Sequence, residues 1–275
     1  MAVGWDDART ARAYERFCHR HGRYREANEA LASHAAASAG QRILDVGAGT
    51  GRTTEALLPH IGKAGSVLCA EPAGAMREAG MRRLRDSRIR WTDRLPDARS
   101  AAAAGGFDRV VCGAAIWQLL PLDRALAQWA ALLAPGGALV FNIPALYLLE
   151  PDRPGGGRDP LLQGLPAALA RCSASSCDNV QTAGGGHAYA LPCSAAEVER
   201  MLAAIGLRAE RWSFELRLTQ AALRDWLKIP PVSEGFFAGR SPEERERRLD
   251  AAYAEVDHRS WRRERWLGWT AWRAQ

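Results

Sequence analysis

Lysine is almost missing from this chain. Lys63 and Lys228 are the two among 37 basic residues, and arginine supplies the rest. The formal charge of +6 is therefore an arginine charge, and it is interleaved with acids, as in Glu243-Glu244-Arg245-Glu246-Arg247-Arg248, rather than gathered into a basic stripe. That pattern describes a solvated helix face and argues against nucleic acid as a partner. Long apolar runs are also lacking. The longest, 138–149, contains Asn142 and Pro144 and is too short to cross a bilayer, so no membrane association is expected. The first residues, MAVGWDDARTARAYERF, carry charges where a secretory leader needs an apolar segment, and a cytoplasmic protein is expected.

Cysteine is sparse, with 6 in 275 residues, too few for a disulfide scaffold. Cys69 and Cys112 fall in predicted strands and read as small buried hydrophobes. Cys172, Cys177, His187 and Cys193 lie nearer one another, but no CxxC pair occurs and the Ser/Gly-rich surroundings lack zinc-ligand spacing, so no metal is expected. Several catalytic signatures are absent as well. There is no G-x-S-x-G elbow and no H-E-x-x-H pair, and the glycine loop is not followed by the Lys-[Ser/Thr] of a P-loop.

The sequence does contain an alternation. Apolar runs at 42–46, 66–70, 88–92, 107–112 and 138–143 read as strands, separated by helical stretches at 51–60, 74–85 and 122–133, the last stopped by Pro135-Gly136-Gly137. Strand and helix in turn imply a parallel sheet covered by helices. Residues 6–38 read as one or two helices interrupted near Gly22, and the organisation expected is a helical cap over 1–39 and an α/β domain over 40–275. Insertions are expected at about 144–192, rich in glycine and proline, and at 220–265, which is helical. Ser194-Ala195-Ala196-Glu197 is a capping box, and Ser241-Pro242 starts a further helix.

Leu44-Asp45-Val46-Gly47-Ala48-Gly49-Thr50-Gly51 sits at the end of the first strand. Glycines there let the backbone turn sharply and approach a ligand, and the helix that follows offers free N–H groups. Glu71 closes the second strand, where an acid can hold both hydroxyls of a ribose. The spacing is G-x-G-x-G, with Arg52 where a dinucleotide fingerprint needs its third glycine.

LDVGAGTGRTT at 44–54, CAEPAGAM at 69–76, FDRVVCGAAIWQL at 107–119 and LAPGGALVFNIP at 133–144 together resemble the class I S-adenosylmethionine-dependent methyltransferases, over about 40–145 and weakly through 194–219. The resemblance implies a Rossmann-like seven-stranded sheet with an antiparallel last strand, which 207–218 and 266–274 would complete. It implies S-adenosylmethionine as cofactor, with Gly47 and Gly49 beside its methionine part, Asp45 ordering the loop and facing the cofactor's amino group, Glu71 on the ribose, Asp93 near adenine, and Gly113 and Ala114 beside the sulfonium. Trp117 is a further cofactor-site candidate. Catalytic candidates at the mouth of such a cleft are Tyr14, Asn142, His187 and Tyr189. The activity expected is methyl transfer to a small-molecule nucleophile in specialised biosynthesis. The alternative is the azetidine-2-carboxylate synthase offshoot, in which the cofactor cyclises on itself; Asn142, Tyr189 and Ser213 resemble its polar equipment. A non-catalytic module with an interface of Trp261, Trp266, Trp269 and Trp272 is a third reading, and the sequence does not set the oligomeric state.

Overall fold

The structure, a computed structural model, describes residues 4–149, 165, 168–169, 191–234, 237 and 240–273. Seven strands form one sheet in the order β3-β2-β1-β4-β5-β7-β6. Five are parallel: β1 (Arg42–Val46), β2 (Ser66–Ala70), β3 (Ile89–Thr92), β4 (Phe107–Gly113) and β5 (Leu133–Pro144). β6 (Leu207–Thr219) and β7 (Trp261–Arg273) pair with each other antiparallel, and β7 runs antiparallel to β5. The central strands are covered on both faces, which is why Ile43, Leu44, Val110, Val111, Leu139, Val140 and Phe141 form nearly unbroken apolar runs.

Helices α1 (Ala8–Arg20) and α2 (Arg23–Ala35) precede the sheet. The side chain of Asp7 caps α1 by accepting from Arg9 N–H at 2.6 Å. α2 buries Ala27, Leu31, Ala32 and Ala35 and packs against β4 and β5, so the expected cap is seated on the sheet itself. α3 (Arg52–Leu57), α4 (Gly74–Arg83), α5 (Ala98–Ala103) and α6 (Leu122–Ala130) fill the crossovers. α7 (Ala195–Ala204) starts with the full Ser194/Glu197 capping box. α8 (Gln220–Leu227), α9 (Pro230–Glu234) and α10 (Pro242–Ala254) make the expected helical region before β7.

Two expectations shift. α6 ends at Ala130, and Pro135-Gly136-Gly137 lies inside β5 instead of terminating the helix. The ladder between β4 and β5 changes register between Phe107 and Arg109, and Gly136 takes φ +74°, a conformation glycine adopts without strain. β7 also begins five residues before the expected 266. Only its second half pairs with β5; Trp261–Arg265 pair with β6 alone. A two-stranded ribbon leaving the sheet is largely solvated, and this hides a strand in the charged sequence WRRER.

The tryptophans of β7 divide by this geometry. Trp266 and Trp269 are fully buried, Trp269 stacking on Phe141 with ring centroids 5.2 Å apart, while Trp261 and Trp272 are exposed. Half of the expected interface stripe, Trp266 and Trp269, is thus core packing. Among the described residues no helix is long and apolar enough to cross a membrane.

Candidate functional site

The strand order reverses between β1 and β4, and the crevice beyond their C-terminal ends is where open α/β sheets receive ligands. A cavity of about 690 Å³ lies there, bounded by the glycine loop, the ends of β2 and β4, the first helices and α8.

The loop leaves β1 with Gly47, Gly49 and Gly51 at φ +65°, +56° and +81°. At Gly47 a Cβ would come within 2.9 Å of Ala115 Cβ. At Gly49 the nearest atom to an added Cβ is Met76 Cε at 3.5 Å, so the backbone there is bare toward the cavity. Glu71 holds this shape: one carboxylate oxygen accepts from Gly49 N–H at 2.7 Å and the other from Ala73 N–H at 2.8 Å. Burial raises the Glu71 pKa, and these two amides offset part of that rise. Each oxygen keeps a lone pair for a hydroxyl donor.

The far side of the loop is tied to α1. Glu15 accepts from Thr50 Oγ1 and pairs with Arg52 at 2.6 Å, and Arg83 donates to the Thr50 carbonyl at 2.8 Å. Asp45 lies beneath. It is fully buried, off the cavity wall, and accepts from Thr54 Oγ1 at 2.7 Å, while its second oxygen has no partner among the described residues. Desolvation pushes its pKa up to about 7. Asp45 is off the cavity wall and is held to Thr54 at the start of α3, so the contact with the cofactor's amino group expected of it is not available to its side chain.

At the end of β4, Ala114 takes φ +54°. Its N–H is accepted by Asn142 Oδ1 at 3.0 Å, and its carbonyl accepts from Trp117 Nε1 at 3.0 Å. Asn142 Nδ2 donates to the Ala27 carbonyl at 2.8 Å. Asn142 is therefore wholly buried and used up in joining β5, β4 and α2. As a catalytic candidate it is corrected: it is a positioning residue behind the wall.

Gly47, Gly49, Glu71, Asp93, Gly113, Ala114, Trp117 and Tyr14 all line the cavity. Asp93 is exposed and paired with Arg94 at 3.2 Å. Tyr14 has its pKa raised well above the usual phenol value by burial, so it keeps its proton at neutral pH and presents a ring to the cavity, not a base. His187 and Tyr189 lie outside the described residues, as do Cys172 and Cys177. Among the described residues no group of His, Cys, Asp or Glu has metal-ligand geometry. The polar set of the cyclase alternative does not assemble: Asn142 is behind the wall, and Ser213 is exposed on β6, away from the cavity.

Several lining residues escaped the sequence reading, among them Trp5, Asn28, Thr53, Met76 and Trp226.

The strand order with its reversed seventh strand, the glycine loop and the acid closing β2 define a class I methyltransferase fold. Residues 43–137 match the family described as "Methyltransferase domain". The chain resembles the YcgJ protein of Bacillus subtilis, at 15% identity and a TM-score of 0.54 over 91% of this chain and 100% of that one. It also resembles an S-adenosylmethionine-dependent methyltransferase of Thiobacillus denitrificans solved with S-adenosylhomocysteine, at 16% identity, TM-score 0.51, and 90% and 91% coverage. Among curated proteins it is 34% identical over 117 residues to the ubiquinone/menaquinone biosynthesis C-methyltransferase UbiE of Coxiella burnetii, covering 40% of this chain and 47% of that one. It is 33% identical over 105 residues to the hybrid PKS-NRPS synthetase apdA of Emericella nidulans, covering 36% of this chain and 3% of that protein. The chain thus spans less than half the length of these curated relatives.

Proposed function

We propose that the chain binds S-adenosylmethionine and transfers its methyl group to a small-molecule nucleophile. The observation that carries this reading is the bare glycine backbone at Gly49, fixed by a buried Glu71, on the wall of a cavity large enough for the cofactor and a second molecule. The residues fit the cofactor. Gly47, Gly49 and the end of β4 at Gly113 and Ala114 would border its amino-acid and sulfur portion, Glu71 its ribose, and Asp93, with Leu95 and Met76 nearby, its adenine.

When bound, the cofactor supplies a methyl on a positively charged sulfur, already activated for displacement. The chain then needs to hold a nucleophile in line and exclude water. The cavity walls suit that task, because Tyr14, Trp117 and Tyr147 offer aromatic surface to a positively charged sulfur. A pocket closed over by α1, α2 and α8 fits a small acceptor better than a macromolecular one, and the biosynthetic relatives support a place in small-molecule biosynthesis.

The test is calorimetric binding of S-adenosylhomocysteine, followed by incubation with S-adenosylmethionine and acceptor pools under mass spectrometry. Affinity for the thioether and acceptor-dependent release of S-adenosylhomocysteine are expected. No affinity for either adenosyl thioether, with affinity for a nicotinamide or flavin instead, overturns the reading.

A further inference from the structure

Beyond the glycine loop the cavity enters a compartment walled by Tyr14, Tyr24, Trp117, Tyr147 and Trp226. Tyr14 and Tyr24 lie with ring centroids 5.5 Å apart, and Trp117 meets Tyr147 edge-on at 6.1 Å. Flat apolar walls favour a flat apolar guest. The polar groups in this compartment narrow the choice further.

Tyr24 and Asn28 stand one helical turn apart on the same face of α2, and both line the cavity. The Tyr24 hydroxyl accepts from Trp226 Nε1 at 3.0 Å, and its own proton has no acceptor among the described residues. Asn28 is 4% exposed. Its Oδ1 accepts from Thr53 Oγ1 at 3.1 Å, which fixes the amide and leaves Nδ2 with no partner among the described residues. Asn142 pins the backbone between them through the Ala27 carbonyl, so the two donors sit on a rigid turn. Donors on the cavity wall with no acceptor of their own are free to meet a ligand oxygen.

Both groups offer a hydrogen to an oxygen, and neither carries the negative charge that would favour an ammonium. The nearby carboxylate, Glu264, is occupied by both Arg23 and Trp266 Nε1 behind the aromatic wall. The guanidinium of Arg23 lies against Tyr24 and Trp226, at 5.1 and 4.9 Å from their ring centroids, and places positive charge on the side of the wall away from the guest.

We propose that the methyl acceptor is a planar aromatic molecule carrying a phenolic or ring-carbonyl oxygen, and that Tyr24 O–H and Asn28 Nδ2 bind that oxygen as a pair. The two residues determine acceptor specificity by favouring an oxygen, above all an anionic one, over an amine. This inference rests on the methyl-transfer reading for the role of the bound molecule, while the oxygen-binding pair is tested independently of it.

The probe is 4-nitrophenol, whose phenolate absorbs in the visible, titrated with and without S-adenosylhomocysteine. Saturable binding is expected, with the apparent pKa of the bound phenol lowered by half a unit or more. Tyr24→Phe keeps the ring and removes one proton, and Asn28→Asp keeps the acceptor for Thr53 and removes the free donor. Each is expected to weaken binding about tenfold and return the phenol pKa toward its free value, while S-adenosylhomocysteine affinity is unchanged. 4-Nitrobenzylamine, the cationic counterpart, is expected to bind at least tenfold more weakly. Absence of 4-nitrophenol binding, equal binding and equal pKa in wild type and Tyr24→Phe, or preference for the amine overturns the proposal. Should Asn28→Asp fail to fold, Tyr24→Phe decides alone. Loss of S-adenosylhomocysteine binding with phenol binding intact overturns the cofactor reading and leaves the oxygen-binding pair standing.

Discussion

Glu71 Oε2 accepts the Gly49 N–H at 2.7 Å, joining the end of β2 to the glycine loop after β1 across a separation of 22 residues. The acid that the sequence marks as a ribose ligand is thus also the strut that holds the loop open. One carboxylate can serve the loop and the proposed ribose contact because its two oxygens have more lone pairs than the two backbone amides use.

Removing that carboxylate should therefore damage binding more than a lost ribose contact alone would. Charge-assisted hydrogen bonds contribute about 1.5–3 kcal/mol each. Glu71→Ala is expected to weaken S-adenosylhomocysteine about 100-fold or more in calorimetry, and Glu71→Gln, which retains an acceptor for Gly49 or Ala73, by roughly tenfold. Equal affinity in Glu71→Ala and wild type would remove Glu71 from the site.

The sheet, the glycine loop and the acid were legible because each is a local pattern. Asp45-Val-Gly-Ala-Gly and Glu71 occupy strand ends that hydrophobic runs mark plainly. Asn142 was misread because a strand-end asparagine looks alike whether it faces ligand or backbone; only the pairing of β4 with β5 and the seat of α2 aim it at Ala114 and Ala27. Trp226 reaches the Tyr24 hydroxyl across 202 residues of chain, and no periodicity encodes such a meeting. The early start of β7 stayed hidden because WRRER leaves the sheet and has no apolar face to reveal it.

Asn142→Leu removes both ends of that clamp while keeping the volume. It leaves the Ala114 N–H without its partner, at about 1–3 kcal/mol, while the Ala27 carbonyl loses the side-chain donor but keeps its place inside α2. The expected result is a stability to urea lowered by about 1–3 kcal/mol. A variant as stable as wild type but inactive would restore Asn142 as a residue that meets the reacting atoms.

Arg23 and Glu264 form a buried ion pair with two parallel contacts of 2.7 and 2.8 Å, linking α2 to β7. Burial opposes the charge on Glu264, but the Arg23 charge and hydrogen bonds from Arg23 and Trp266 outweigh it, so its pKa lies below the usual carboxylate value. Glu264→Ala strands the guanidinium among Tyr24, Trp226 and Trp266. Such a break costs about 3–5 kcal/mol, and a marked drop in Tm is expected by calorimetry, whereas the double substitution Arg23→Met/Glu264→Leu should recover most of it.

Asp45 gives the fold a pH dependence of unusual sign for a carboxylate. Its pKa is about 7 when folded, raised by desolvation, against roughly 3.9 in the unfolded chain. Between those values the folded protein keeps a proton that the unfolded chain has released, so this group's contribution is fully present below about pH 4 and is lost as pH rises to about 7. The gap between the folded and unfolded values corresponds to roughly 4 kcal/mol. Asp45→Asn keeps an oxygen to accept from Thr54 Oγ1 and cannot ionise. Urea unfolding of both proteins at pH 5 and pH 8 isolates the effect, since every other titrating group is common to the two. Wild type is expected to lose stability relative to Asp45→Asn over that interval, by an amount on the order of 2–3 kcal/mol. A difference that stays constant with pH, or that changes in the opposite sense, would mean that Asp45 is ionised at pH 5 in the folded protein and that its unpartnered oxygen is stabilised by a neighbour or water.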